Sequence, residues 1–63
     1  MIISKLIRAA QTQIIIRSVI IWNPNTSRAL YVGSPSTIPE TIKNKEVNAY
    51  CYDDKKNRMI IRI

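Results

Sequence analysis

The run from Ile14 to Trp22 constrains the fold more than any other stretch of the chain. It is the longest apolar run, and its β-branched residues favour an extended strand over a helix. Read with a period of two, both faces of this strand are largely apolar, with Ser18 on one face and Arg17 on the other. A strand of this kind needs cover on both sides. We therefore predict a central strand, covered on one side by a helix of the same chain and on the other by a partner.

The size and the cysteine content of the chain limit what it can be. A chain of 63 residues forms one domain, residues 1–63, and buries only ~60% of its unfolded surface. Cys51 is the only cysteine and there is no histidine, which excludes a disulfide framework, a Cys–His nucleophile and the usual zinc sites. Cys51 is expected to be a small core residue, and its unpaired thiol fits a reducing, cytoplasmic setting.

Catalytic patterns are missing from the sequence. Asp53 and Asp54 are adjacent in a turn, while Glu40 and Glu46 are isolated, so no carboxylate pair suggests acid–base chemistry. A single glycine excludes a glycine-rich phosphate loop. The N-terminus lacks the apolar core of a signal peptide, and the longest apolar run is about half of what spans a bilayer. We predict a soluble, cytoplasmic protein that is not an enzyme, uses no cofactor and does not bind membranes.

The first half of the chain predicts a helix followed by a β-hairpin. Ser4 is a candidate N-cap for a short helix over 5–11. The strand over 14–22 ends at Asn23-Pro24, which has the chemistry of a type I turn. A second strand over 28–32 is expected to pair with it in the antiparallel direction.

The second half predicts a one-turn helix and a second hairpin. The helix covers 38–42, with Thr37 as a possible cap and Pro39 in its first turn. The strands cover 46–53 and 58–63, and a three-residue connection with a bulge, left-handed at Asn57, is expected between them.

The alternation in these last strands predicts which residues face the core. In the expected register Tyr52 lies opposite Ile60 and Tyr50 lies opposite Arg62, so both tyrosines face outward. The residues predicted to be among the most buried are Leu6, Ile7, Val47, Cys51, Met59 and Ile61. Together the elements predict a single α+β domain: a short N-terminal helix packed on a four-stranded, mostly antiparallel sheet, with the one-turn helix between strands 2 and 3.

The order of these parts resembles a group of small uncharacterised proteins of Firmicutes, their phages and their mobile elements. The resemblance rests on Leu30-Tyr31-Val32-Gly33 at a strand end, followed by Ile38-Pro39 opening a one-turn helix, and it extends over most of the chain. Members of that group are usually acidic, whereas this chain is basic. The resemblance implies an accessory protein of a phage or mobile element and carries no biochemical activity with it.

Ten lysines and arginines against four acidic residues give a net charge of +6, which favours acidic partners. The predicted outer face of the last hairpin combines aromatic, apolar and basic residues, and Arg17 and Tyr31 are candidates to join it. Such a mixture is typical of protein interfaces and also of surfaces that stack bases and neutralise phosphates. The predicted binding surface consists of Arg17, Tyr31, Tyr50, Tyr52, Arg58, Ile60 and Arg62.

Two functions remain open at this point. The first is a non-enzymatic protein that docks on a host or defence protein, for example a defence nuclease, and inhibits or modulates it. The alternative is a small basic nucleic-acid-binding protein that uses the outer sheet face. A homodimer is also expected, because one short helix cannot cover a four-stranded sheet whose first strand is apolar on both faces.

Overall fold

The computed structural model describes all 63 residues and confirms the predicted α+β class. One sheet has the strand order β2-β1-β4-β3, in which β1 and β4 are parallel and the two hairpin pairs are antiparallel. The elements are α1 (Ile3–Gln11), β1 (Ser18–Asn23), β2 (Arg28–Gly33), a 3₁₀ turn (Pro35–Thr37), α2 (Glu40–Lys43), β3 (Ala49–Asp53) and β4 (Arg58–Arg62).

Helix α1 begins earlier than the sequence predicts. Ile2 is its N-cap and no side chain caps it, so the prediction that Ser4 is the cap is wrong. The N-terminus is held instead by backbone hydrogen bonds: the Ile3 N–H donates to the Lys45 carbonyl (3.0 Å), and the Val47 N–H donates to the Met1 carbonyl (2.8 Å). This pairing satisfies backbone groups that a cap would otherwise serve.

Strand β1 is shorter than the predicted strand over 14–22. It begins at Ser18, which pairs with the first residue of β4, so the residues before Ser18 have no strand to pair with. They connect α1 to the sheet, with Ile16 buried and Ile15 67% exposed. Only the second half of the apolar run is therefore a strand, and the first half supplies a core residue from a loop.

The short helix before β3 is also placed differently. Glu40–Lys43 forms α2 with Pro39 as its N-cap, so Thr37 is not the cap and Pro39 is outside the helix. A 3₁₀ turn over Pro35–Thr37 precedes it. Ile38, between the two, is buried in the core as its apolar side chain suggests.

The core lies between α1 and one face of the sheet, which we call the inner face. It is a single cluster of nine buried residues: Ile3, Leu6, Ile7, Ile16, Val19, Ile21, Ile38, Met59 and Ile61. Four of the six predicted core residues are in it. Val47 is half-buried against the cluster, and Cys51 is exposed, so the prediction for Cys51 is wrong.

The error at Cys51 comes from the register of the last hairpin. Tyr52 pairs with Met59 and Tyr50 pairs with Ile61, one residue away from the predicted register. The loop over 54–57 has four residues between the paired strand ends, whereas the predicted connection has three residues and a bulge. Asn57 is left-handed as predicted (φ 50°). A slip of one residue exchanges the two faces of a strand. Both tyrosines therefore turn to the inner face, and Cys51 turns to the other.

Truncating the buried stripe of α1 tests this packing. Leu6→Ala is expected to lower the free energy of unfolding by ~2–5 kcal/mol, because Leu6 is only 5% exposed and its removal leaves a cavity. Lys5→Ala, at the adjacent exposed position, serves as the control and is expected to change it by about 0.5 kcal/mol or less. Chemical denaturation measures both. Equal effects of the two substitutions would contradict the placement of the helix.

Candidate functional site

The sheet face away from α1, here called the outer face, carries the side chains that alternate with the buried ones. Val19 and Ile21 of β1 point into the core, so their neighbours point outward. The same alternation holds on β3 and β4, and on β2 it is interrupted at Leu30, where the register with β1 shifts. Both helices belong to the inner side, where Leu6 of α1 and Ile42 of α2 pack in or against the core. The outer-face residues are Ser18, Ile20, Trp22, Ala29, Val32, Ala49, Cys51, Asp53, Arg58, Ile60 and Arg62.

An apolar row crosses the outer face from edge to edge. The register places Val32, Ile20, Ile60 and Cys51 side by side on the four strands. Val32 is 64% exposed and Cys51 is also exposed, while the two central isoleucines are partly exposed. Apolar residues that adjoin in this way form a patch of the kind that marks an interaction surface.

Two arginines of β4 flank this row, one on each side. Arg62 is the strand neighbour of Trp22, and Arg58 is the neighbour of Ser18. They are four residues apart along one strand, which places them ~13 Å from each other. The patch therefore has a positive charge at its Arg62 end, while at the other end Asp53 of the same face lies next to Arg58.

The two guanidinium groups have few partners within the chain. An Arg58 terminal nitrogen lies 3.7 Å from Asp53 Oδ2, and Arg62 forms no ion pair. The Nε atoms of both are shielded from solvent and make no hydrogen bond. The aliphatic stems of the two arginines cover the sheet, while the donor groups at the ends of their side chains remain available to another molecule.

The structure brings together only part of the predicted binding surface. Arg58, Ile60 and Arg62 lie on the outer face as predicted. Tyr31, Tyr50 and Tyr52 lie on the inner side, and Arg17 is exposed in the connection before β1. The prediction that tyrosines and arginines share one face is therefore wrong. The register of the last hairpin turns Tyr50 and Tyr52 inward, and Tyr31 faces inward because it pairs with Ile21 of the core.

Sequence reasoning missed Trp22 as a surface residue. Trp22 lies on the outer face beside Arg62 and is partly exposed. Its parity with Ile20 was visible in the sequence. The signal was obscured because both faces of the predicted strand are largely apolar, so the sequence does not show which of them is exposed.

Two of the three tyrosines act within the fold. The Tyr52 hydroxyl donates to the Ile15 carbonyl (2.6 Å) and lies 3.0 Å from Asn57 Oδ1. The Tyr31 hydroxyl donates to the Ser34 carbonyl (2.6 Å). A Cβ at Gly33 would lie 2.9 Å from that hydroxyl, so glycine at this strand end leaves room for it. Tyr50 differs, because it is 60% exposed and its side chain makes no hydrogen bond.

No cluster of three or more His, Cys, Asp or Glu side chains is arranged to hold a metal ion, and no helix is both long enough and apolar enough to cross a bilayer. No family model matches the chain, and neither does any curated protein or solved structure. What the outer face offers another molecule is apolar contact area and positive charge.

Replacing tyrosines one at a time separates the two roles. Tyr52→Phe is expected to lower the free energy of unfolding by about 1–2 kcal/mol, because it removes the hydroxyl that holds the Ile15 carbonyl. Tyr50→Phe removes a hydroxyl without a partner in the chain, so thermal or chemical denaturation is expected to give a value close to that of the unmodified protein. Equal losses from both would show that Tyr52 makes no special contact.

Proposed function

We propose that this chain is a non-enzymatic binding protein that docks through its outer face on an acidic surface of another protein. The observation that carries the proposal is the uncovered apolar row with Arg58 and Arg62 at its two sides. A complementary partner has an apolar ridge with a carboxylate beside it that reaches Arg62.

The composition of the face fits a protein partner. Tryptophan and arginine are enriched at the energetic centres of protein interfaces, and Trp22 and Arg62 are neighbours here. Guanidinium groups bind carboxylates through two parallel hydrogen bonds, and Arg62 has no carboxylate of its own chain. An acidic partner therefore supplies what the face lacks.

The same charges make a second copy a poor partner for this face. Two copies that stack outer face to outer face bring together two surfaces on which Arg62 is the charge without an ion pair, in a chain whose net charge is +6. Like charges brought together in an interface cost several kcal/mol. The electrostatics of the face thus favour an acidic protein.

The biological setting we propose follows the resemblance described above. A phage or mobile-element accessory protein acts in the host cytoplasm, and its partner is a host or defence protein, for example a defence nuclease. Docking on such a partner inhibits or modulates it without any chemistry on the part of this chain. The support for this setting is the shared strand end and one-turn helix; the basic charge of the chain is a departure from that group and does not support it.

Charge reversal on the two sides of the molecule tests the docking face. Arg62→Glu is expected to weaken the retention of a protein partner from a nuclease-treated bacterial lysate by about tenfold or more, since it removes an interfacial cation and adds a repelling anion. Arg8→Glu on α1 is the matched control, because it changes the net charge by the same amount at an exposed position on the opposite side. The amount of partner bound by immobilised protein is the measurement.

A second substitution removes apolar contact in place of charge. Val32→Asp is expected to weaken the same partner, and the high exposure of Val32 keeps the cost to folding small. Thermal unfolding of each variant verifies that it is folded. A partner that responds equally to Arg8→Glu and Arg62→Glu is attracted by net charge alone, and this result would rule out the outer face as the docking site.

Nucleic acid is the second candidate partner, and the pairing of Trp22 with Arg62 is the observation that favours it. An aromatic ring beside a guanidinium can stack a base and neutralise a phosphate. The tyrosines do not contribute, because they lie on the inner side. The apolar row from Val32 to Cys51 has no counterpart in the chemistry of a phosphate backbone, which is why the protein partner is the first candidate.

A salt titration with a labelled single-stranded oligonucleotide, and with a duplex beside it, tests this second candidate. If the outer face binds single strands, log affinity falls with log salt by about 0.7 per phosphate neutralised. Arg62→Ala then lowers both affinity and slope, whereas Trp22→Ala lowers affinity by ~1–3 kcal/mol and leaves the slope nearly unchanged. Weak binding that neither substitution alters would remove nucleic acid from consideration.

A further inference from the structure

The two edges of the sheet differ in how open they are. The β2 edge is interrupted at Leu30, where the register with β1 shifts, and Pro35 follows the end of the strand. Bulges and prolines are features that blunt an edge against pairing. Strand β3 (Ala49–Asp53) pairs with β4 without a register shift. It contains no proline and no lysine or arginine, so the β3 edge is the one suited to pairing with another strand.

The backbone groups of Tyr50 and Tyr52 face this open edge. The Ile63 N–H donates to the Trp22 carbonyl (3.0 Å). The backbone N–H and C=O groups of the odd-numbered residues of β4 therefore point toward β1, and those of the even-numbered residues point toward β3. In an antiparallel ladder hydrogen-bonded pairs alternate with non-hydrogen-bonded pairs, and Cys51 bonds to β4 because its partner is the even-numbered Ile60. The N–H and C=O groups of its two neighbours then point away from β4, and no other segment of the chain bonds to them.

The chain already adds a strand next to this edge. Met1 and Ile3 bond to the backbone of Val47 and Lys45, just before β3, and Ile2 forms an antiparallel bridge with Glu46. This contact stops where β3 starts. At the far end the loop over 54–57 turns away. The free length of the edge is therefore the five residues of β3.

These observations point to the β3 strand of a second copy of the same chain as the strand that pairs with the β3 edge. We infer that the protein forms a symmetric dimer in which the β3 strands of two copies pair antiparallel, centred on Cys51. Cys51 is the middle residue of β3, so this register alone aligns the full strand of each copy with that of the other. Tyr50 of each copy then exchanges hydrogen bonds with Tyr52 of the second copy.

The side chains at this edge are suited to the pairing. Tyr50 is 60% exposed and lies beside an apolar groove formed with residues of α1, Met1 and Ile14. In the dimer each Tyr50 lies against Tyr52 of the second copy, and cross-strand aromatic pairs stabilise a sheet. The two outer faces also join into one continuous surface. On this surface Arg58 and Arg62 of both copies point in the same direction, and the two β3 strands separate the arginines of one copy from those of the other.

The dimer brings the two Cys51 thiols together on the outer side. The two Cys51 residues form the central pair of the new ladder. This pair is not hydrogen-bonded, and in such a pair the two Cα atoms are about 4.5 Å apart. Since Cys51 is the only cysteine, any thiol cross-link between two chains joins the two Cys51 residues and reports that they lie close together. The inference concerns the purified protein alone and does not depend on what the outer face binds.

Sedimentation of the purified protein tests the dimer. We expect a dimer at high micromolar concentration, and we expect Tyr50→Lys to raise its dissociation constant at least tenfold, because a charged side chain at the edge opposes strand addition. Leu30→Lys is the matched control: it adds the same charge at an exposed apolar residue of the other edge strand and is expected to leave the dimer intact. Added salt strengthens this dimer by screening two basic chains, whereas it weakens docking on an acidic protein.

A short bis-maleimide supplies the second readout. It is expected to join two chains through Cys51 in the unmodified protein and in Leu30→Lys, and to do so far less in Tyr50→Lys at the same concentration. Cys51→Ser is expected to remain a dimer by sedimentation and to give no cross-link. A monomer at high micromolar concentration, a dimer that the reagent does not join, or a dimer that survives Tyr50→Lys would each overturn the inference.

Discussion

The parallel pairing of β1 with β4 is the interaction on which the rest of the structure depends. Each of these strands forms a hairpin with its neighbour, and an isolated two-stranded hairpin is marginally stable in water. Their pairing joins the hairpins into one sheet and places Val19 beside Met59 and Ile21 beside Ile61, all of them at most 1% exposed. Helix α1 needs this combined surface, because it is too short to be stable alone.

The same pairing creates the outer face. Once the inner residues of β1 and β4 are committed to the core, alternation turns Ile20, Trp22, Ile60 and the two arginines of β4 to the other side. One helix of nine residues and one of four cover the inner face only. A chain this small has enough residues to cover one face of its sheet, and the exposed second face is available to a partner.

Two kinds of contact surface thus arise from different physical causes. The outer face owes its character to side chains: an apolar row with an arginine on each side, of which Arg58 is paired with Asp53 and Arg62 forms no ion pair. The β3 edge owes its character to backbone groups that the fold leaves without partners. Because the edge lies at the end of the sheet and the arginines lie on its face, one copy can use both surfaces at once.

The sequence by itself determined the class of the fold, the approximate positions of both hairpins and four of the nine core residues. The β-branched run before Trp22 and the turn at Asn23-Pro24 were sufficient for the first hairpin, and the apolar stripe with Leu6 and Ile7 was sufficient for α1. These are local signals, since periodicity and turn chemistry act within a few residues. They also placed Arg58, Ile60 and Arg62 together on the outer face correctly.

Only the tertiary structure decided where β1 begins, which strands are neighbours and which way β3 faces. The start at Ser18 follows from where β4 begins, forty positions further along the chain. The faces of Tyr50 and Cys51 follow from a loop one residue longer than predicted, which no alternation in β3 reveals, because apolar and aromatic residues occupy both of its faces. The side of a strand that is buried is fixed by the strand across from it, and that pairing is a property of the folded chain.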